Sequence, residues 1–162
     1  MSVKREDGDP ARVAAAARDL LAALPHRHPL LMIDRVLDRL PGRSCRALKR
    51  VSAGDPLSWA PGPAGAGLSP FLLVEAMSQA AALAFLPAGG EAAAAPAVGY
   101  LAAVRDFRAR APVVPGDTLT VQVAISGRFG RLVRVEGTVE RDGEELASAQ
   151  LTLTLPGEAD RR

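Results

Sequence analysis

Two hydrophobic periodicities divide the chain. Residues 69–86 read Ser-Pro-Phe-Leu-Leu-Val-Glu-Ala-Met-Ser-Gln-Ala-Ala-Ala-Leu-Ala-Phe-Leu, apolar all round a helical wheel except at Glu75, Ser78 and Gln79. From residue 98 onward apolar and polar residues alternate with a period of two. The first pattern predicts a buried helix and the second predicts half-buried strands. The helix carries its own punctuation: Ser69 is suited to the N-cap and Pro70 to the first helical position, where a missing N–H costs nothing. Pro87 and the Gly89-Gly90 pair end it. About 17 residues between these signals make roughly 26 Å of helix.

In the alternating region Leu119, Val121, Val123 and Ile125 fall on one side of a strand, as do Val133, Val135 and Val139 of the next. Ala147, Ala149, Leu151, Leu153 and Leu155 do the same in the last. Turn signals at 115–117, 127–130 and 142–143 separate these runs. Strands joined by tight turns imply an antiparallel sheet with one buried face, and the apolar helix is the object to bury there. The fold class is therefore α+β, a curved sheet wrapped around one helix.

Upstream, residues 11–24 read as an Ala-rich amphipathic helix with Val13, Leu20, Leu21 and Leu24 on its apolar side, ending at Pro25. A Pro-bounded turn leads into a largely apolar strand over 30–36. Pro41-Gly42 turns the chain into a second strand over 44–51, with Cys45, Ala47 and Lys49 on one side. Residues 53–67 form a long Gly/Pro/Ala loop carrying Trp59, the single tryptophan, and 91–97 read as an Ala-rich surface connection. The chain divides into a mobile tail (1–10), one domain (11–157) and a C-terminal tail (158–162).

Composition narrows the function classes. With 162 residues, 48% of them hydrophobic, one domain can fill a sizeable core. Nothing in the composition is of the disordered or fibrous kind. The net charge of +2 arises from 20 basic and 18 acidic residues, which argues weakly for an acidic partner and poorly for nucleic acid. Cys45 is the single cysteine, and with His26 and His28 it matches no zinc spacing. The start lacks the apolar core of a secretory signal, and the apolar helix is short, with Glu and Gln in its middle. The expectation is a cytoplasmic protein without metal, cofactor or membrane span.

Glu75, Ser78 and Gln79 stand at i, i+3 and i+4, so a carboxyl, a hydroxyl and an amide share one face of a helix that is otherwise Leu, Val, Met and Ala. A lone carboxylate is costly to desolvate there. Either a basic group from elsewhere in the fold pairs with Glu75, or Glu75 lines an apolar pocket with Gln79 one turn along.

Three motifs in order resemble the hotdog-fold (3R)-hydroxyacyl-acyl carrier protein dehydratases of fatty-acid synthesis. Leu24-Pro25-His26-Arg27-His28-Pro29, followed by Asp34-Arg35-Val36, is similar to that family's Leu-Pro-His-Arg-Tyr-Pro lead into Asp-Arg-Val. Residues 73–81, Leu-Val-Glu-Ala-Met-Ser-Gln-Ala-Ala, resemble its central-helix motif. Residues 110–117, Arg-Ala-Pro-Val-Val-Pro-Gly-Asp, are similar to its Arg-Pro-Val-Val-Pro-Gly-Asp turn. The resemblance implies a dimer with acyl tunnels at the interface, a substrate carried on acyl carrier protein or coenzyme A, and loss of water between a His of one subunit and a Glu of the other. Glu75 matches that glutamate. Ser78, Gln79, Pro70 and Phe71 fall where substrate would be lined, and a backbone N–H at the helix start would polarise the thioester carbonyl.

Two departures qualify the match. Counting back without gaps from Glu75, the family's catalytic histidine falls on Pro61, and no histidine follows Pro29. His26 matches a family histidine that is not the catalytic one and His28 stands where the family has an aromatic, so both are expected to be structural. The family's Met-Pro-Gly before the helix is Leu68-Ser69-Pro70 here, and proline has no N–H to donate. Three readings follow. The chain is a dehydratase-like subunit, catalytically impaired alone and working with a partner that carries the histidine; or a hotdog thioesterase using Glu75; or a non-catalytic acyl-binding module. Arg105, Arg108, Arg110, Arg128, Arg131 and Arg134 could meet an acidic carrier protein or form a solvated face.

Overall fold

The apolar stretch around Glu75 folds as one helix, Pro70–Phe85, in the computed structural model, which describes residues 20–55, 67–86 and 99–155. Pro70 occupies the first helical turn as expected. Ser69 holds the N-cap position but its hydroxyl caps nothing. Leu72 N–H instead donates to the Ser69 carbonyl at 2.9 Å, a backbone closure that leaves the hydroxyl unnecessary. At the other end Leu86 is extended, the conformation favoured before proline. The last carbonyls are capped from outside: Arg39 donates to Leu83 O at 3.0 Å and Leu86 O at 2.7 Å, and Gly42 N–H donates to Ala84 O at 2.8 Å.

Among the described residues six strands accompany this helix: β1 Arg35–Leu40, β2 Ser44–Arg50, β3 Tyr100–Ala109, β4 Thr118–Phe129, β5 Leu132–Arg141 and β6 Glu144–Thr154. They form a single sheet in the order β1-β2-β4-β5-β6-β3, every neighbouring pair antiparallel. The inner face carries the residues the alternation assigns to it, with Leu119, Val121, Val133, Val135, Val139 and Leu151 fully buried against Leu73, Met77 and Leu83. Each such side chain contributes about 1.5–3 kcal/mol by leaving water. This is the hotdog arrangement. The β3 edge strand is exposed along most of its length.

Some predicted elements differ. The apolar run 30–36 is not a strand from its start, since pairing begins at Arg35 while Met32 and Ile33 are buried in irregular backbone. The turn predicted at 127–130 is tighter, because β4 continues through Phe129 and reverses at Gly130, where φ is +60°. Of the Ala-rich N-terminal helix, residues 20–22 are described and helical, with Leu20 and Leu21 packed on the core. The tails, residues 11–19, Trp59 and Pro61 in the long loop, the Pro87 and Gly89-Gly90 stops and the 91–97 connection lie outside the described residues.

Gly137 interrupts the apolar side of β5 for a steric reason. A Cβ there would stand 2.7 Å from Met77 Sδ and 3.0 Å from its Cγ, and Met77 is completely buried. Gly137→Ala should therefore cost about 1–3 kcal/mol of stability, read from urea unfolding; a loss below about 0.5 kcal/mol would mean Met77 yields freely.

Cys45 faces the core from β2, and desolvation pushes its thiol up from 9.0 to about 11, outweighing Arg39, which acts in the opposite direction. The unfolded thiol ionises first, so the contribution of the buried thiol is intact below pH 9.0 and lost as pH rises to about 11. At pH 8 the native protein should resist thiol reagents that label the unfolded chain at once, and Cys45→Ala should abolish that alkaline loss of stability.

Candidate functional site

The polar face of the central helix meets the lead into β1. Gln79 is completely buried, and all its hydrogen-bonding capacity on this side is used. Its Nε2 donates to Leu30 O at 2.7 Å and to Glu75 Oε1 at 2.8 Å, and its Oε1 accepts Met32 N–H at 2.8 Å. The segment 30–32 obtains from this amide the hydrogen bonds that a strand partner would otherwise supply. That is why it does not pair as a strand.

The same lead brings His26 to the acid. His26 Nε2 lies 3.3 Å from Glu75 Oε1, and each side chain is 33% exposed. The turn is held locally: the Arg27 guanidinium donates to the carbonyls of Leu24, His26 and Ala22, and Leu30 and Leu31 N–H both donate to Arg27 O. Glu75 is therefore in no sealed salt bridge with an arginine. Its Oε1 is contacted from two sides, and among the described residues its Oε2 has no hydrogen-bond partner.

The residues read as lining substrate divide on inspection. Glu75 is partly exposed. Gln79 is walled off behind it, because its amide is spent on the backbone of 30–32 and on the carboxylate. Ser78 does not join this cluster, since its hydroxyl donates back to Val74 O at 2.9 Å within the helix. Pro70 is exposed at the helix start, so the first amide the helix offers is that of Phe71. The Phe71 ring is 78% exposed and lies 6.5 Å from the Phe107 ring of β3, with 25° between the planes. Pro61 falls outside the described residues.

Just before that loop, Lys49 is buried on the inner face of β2, its Nζ 3.2 Å from Asp55 Oδ2, which also accepts Ser52 N–H. The long loop thus leaves the sheet from a tethered point. An open cavity of about 430 Å³ lies on β2, β4 and β5, lined by polar residues such as Arg46, Gln122 and Glu136 and also by Cys45 and Val123, and Glu75 is not among its walls. Among the described residues no three His, Cys, Asp or Glu side chains cluster as metal ligands.

The contact of His26 with Glu75 is what sequence reasoning missed. Its signal was the pair of prolines, Pro25 and Pro29, that fix the turn immediately before a segment apolar enough to lie on the helix.

A family model describing ApeP dehydratases, ApeP-like, matches residues 18–161. The chain belongs to the ApeP-like dehydratase family. It is 36% identical over 137 residues to the 3-hydroxyacyl-[acyl-carrier-protein] dehydratase FabZ of Aromatoleum aromaticum, covering 85% of this chain and 94% of that protein. Its fold matches that of the dehydratase heterocomplex ApeI:P from Xenorhabdus doucetiae, with a TM-score of 0.70 at 20% identity, over 87% of this chain and 93% of that one. A hypothetical thioesterase with coenzyme A from Streptococcus pneumoniae shares the fold at a TM-score of 0.58 and 12% identity, over 75% and 87% of the two chains. The fold alone therefore does not separate dehydration from hydrolysis. The family places this ApeP-like protein among the dehydratases.

Replacing Gln79 tests the cluster. Gln79→Leu strands the buried Met32 N–H and should cost about 1–3 kcal/mol in chemical denaturation. Glu75→Gln, at a partly exposed position where an amide oxygen can still accept, should cost less than about 1 kcal/mol. Equal losses would mean the amide does not hold the lead in place.

Proposed function

We propose that this ApeP-like protein is a catalytically impaired subunit of a β-hydroxyacyl thioester dehydratase that works with a histidine-bearing partner. The reading is carried by one juxtaposition. Glu75 is held partly exposed with an Oε2 that meets no described residue, while the position that should supply the opposing base is Pro61 and no histidine follows Pro29.

In the reaction a base removes the C2 proton of the acyl thioester, the C2–C3 double bond forms as the C3–O bond breaks, and the Glu75 carboxyl gives its proton to the departing hydroxyl. Water leaves, and the two groups exchange the proton they have gained and lost before the next turnover. Glu75 supplies the acid half. A partner's histidine supplies the base half, worth about 100- to 10,000-fold.

Three features support partnering. β3 is an edge strand whose Tyr100, Leu101 and Val104 expose apolar surface, the kind of edge that invites strand pairing. The ApeI:P structure is described as a heterocomplex. Arg105, Arg108 and Arg128 are exposed, with Arg110, Arg131 and Arg134 beside them engaging Glu145, Leu155 O and the Phe129 ring, a basic surface suited to an acidic acyl carrier protein. No helix among the described residues is long and apolar enough to cross a membrane, and the cytoplasm is the setting we propose. Hydrolysis accounts for less, because Pro70 removes an amide that would polarise the thioester carbonyl there too. A passive binding module leaves the exposed carboxylate without a use.

The isolated chain should dehydrate 3-hydroxyacyl-carrier protein or coenzyme A thioesters far below the rate of about 1 per second or more common among enzymes. Pro61→His alone should not restore it, since Pro70 still withholds a donor worth about 100- to 1000-fold. Co-purified with a histidine-bearing dehydratase subunit, the wild type should be active and Glu75→Gln should abolish the turnover of sites that use it. Ordinary turnover by the isolated chain would overturn the reading.

A further inference from the structure

Nothing in the dehydration scheme uses His26, yet the fold spends a rigid turn to hold it against Glu75. We propose that His26 is a positioning residue for Glu75: its Nε2–H occupies Glu75 Oε1 together with Gln79, so that Oε2 alone is presented to substrate and carries the proton. The inference rests on the functional reading above for what Oε2 does, but not for the contact itself.

The two nitrogens of His26 lie in different surroundings, and the difference favours a proton on Nε2. Nδ1 is buried and has no hydrogen-bond partner among the described residues. A proton on Nδ1 would be a buried, unsatisfied donor, costing about 1–3 kcal/mol. Nε2 faces the carboxylate at 3.3 Å, where a proton is stabilised by the charge. Among the described residues Glu75 is the ionisable side chain paired with the ring, while Arg27 next to it turns its guanidinium back onto the carbonyls of Ala22, Leu24 and His26.

The carboxylate is correspondingly asymmetric. Oε1 meets the Gln79 amide at 2.8 Å and His26 Nε2 at 3.3 Å, whereas Oε2 meets no described residue. A carboxyl free to rotate would present either oxygen; one oxygen held between two donors fixes the plane of the group and leaves a single oxygen for proton transfer. Such fixing matters because a misplacement of about 1 Å can cost about 100-fold in rate. Both donors are held by the backbone of residues 22–32, and Gln79 joins that backbone to the helix, so the acid is aligned before substrate arrives.

Two measurements test this. With only two histidines in the chain, imidazole ¹⁵N spectra of the isolated protein should show His26 protonated on Nε2, and Glu75→Gln should move the His26 signals and leave those of exposed His28 in place. A proton on Nδ1, or His26 signals indifferent to Glu75→Gln, overturns the proposal whatever the activity. In the assembly with a histidine-bearing subunit, His26→Ala should lower kcat about 10- to 100-fold while leaving KM within about 3-fold. His26→Gln, whose amide nitrogen can reach the Nε2 position, should recover most of the loss. No loss in His26→Ala, or equal loss in both variants at unchanged stability, overturns it. A wild-type assembly without dehydratase activity would remove the functional reading instead, and the spectra would still decide the contact.

Discussion

The structure depends on one buried amide. Gln79 is fully enclosed; of its three hydrogen bonds of 2.7–2.8 Å, two join the central helix to a segment about fifty residues earlier in the chain and the third holds Glu75 on the same helix. Each bond contributes about 1 kcal/mol net, but leaving the Met32 N–H unpaired in the core would cost more than the bond contributes when made. This asymmetry makes the register of the lead on the helix all but obligatory. The lead in turn carries His26, and Gln79 also holds Glu75, so a structural amide determines the geometry of the acid.

Much of the fold was legible because two periodicities rarely deceive when they are long. A helix apolar all round has to be covered on all sides, and the inward residues of β4, β5 and β6 are those the alternation assigned. The failures are local and share a cause. Residues 30–33 look like the start of a strand because apolar runs favour strands, but their backbone partner is a side chain, and sequence pattern records side chains better than backbone bonds. Gly137 breaks the alternation because the space for its side chain is occupied by Met77. The acid was legible as a carboxyl on an apolar helix face. Its neighbour His26 was not, since no spacing rule connects positions so far apart along the chain.

The same residues that favour folding at the helix start detract from chemistry there. Pro70 suits the first turn of a helix, where its missing N–H has no intrahelical acceptor. That N–H is one of the free amides a helix N-terminus offers to an anion or a polarised carbonyl. A sequence that no longer needs the donor gains a stiffer helix start by accepting proline. On the reading proposed above, Pro61 at the position counted for the histidine is a change of the same kind, while Glu75 keeps its contacts with Gln79 and His26.

The surroundings of Phe71 bear on the partnering proposed above. Phe71 and Glu75 are one turn apart on the same helix face, and the Phe71 ring lies over Phe107 of β3. β3 is irregular at that point: pairing with β6 shifts register between Arg105 and Arg108, and Asp106 there has φ of +50°. A bulge of this kind re-aims the side chains around it, and here it turns Phe107 toward the helix start while the rest of the edge strand stays exposed. In the partnering proposed above, a second chain along β3 would run past Phe71, which stands one helical turn from Glu75. A partly exposed acid with one oxygen that meets no described residue, one helical turn from a ring that touches the exposed edge strand, is compatible with the proposed completion of the site by another subunit.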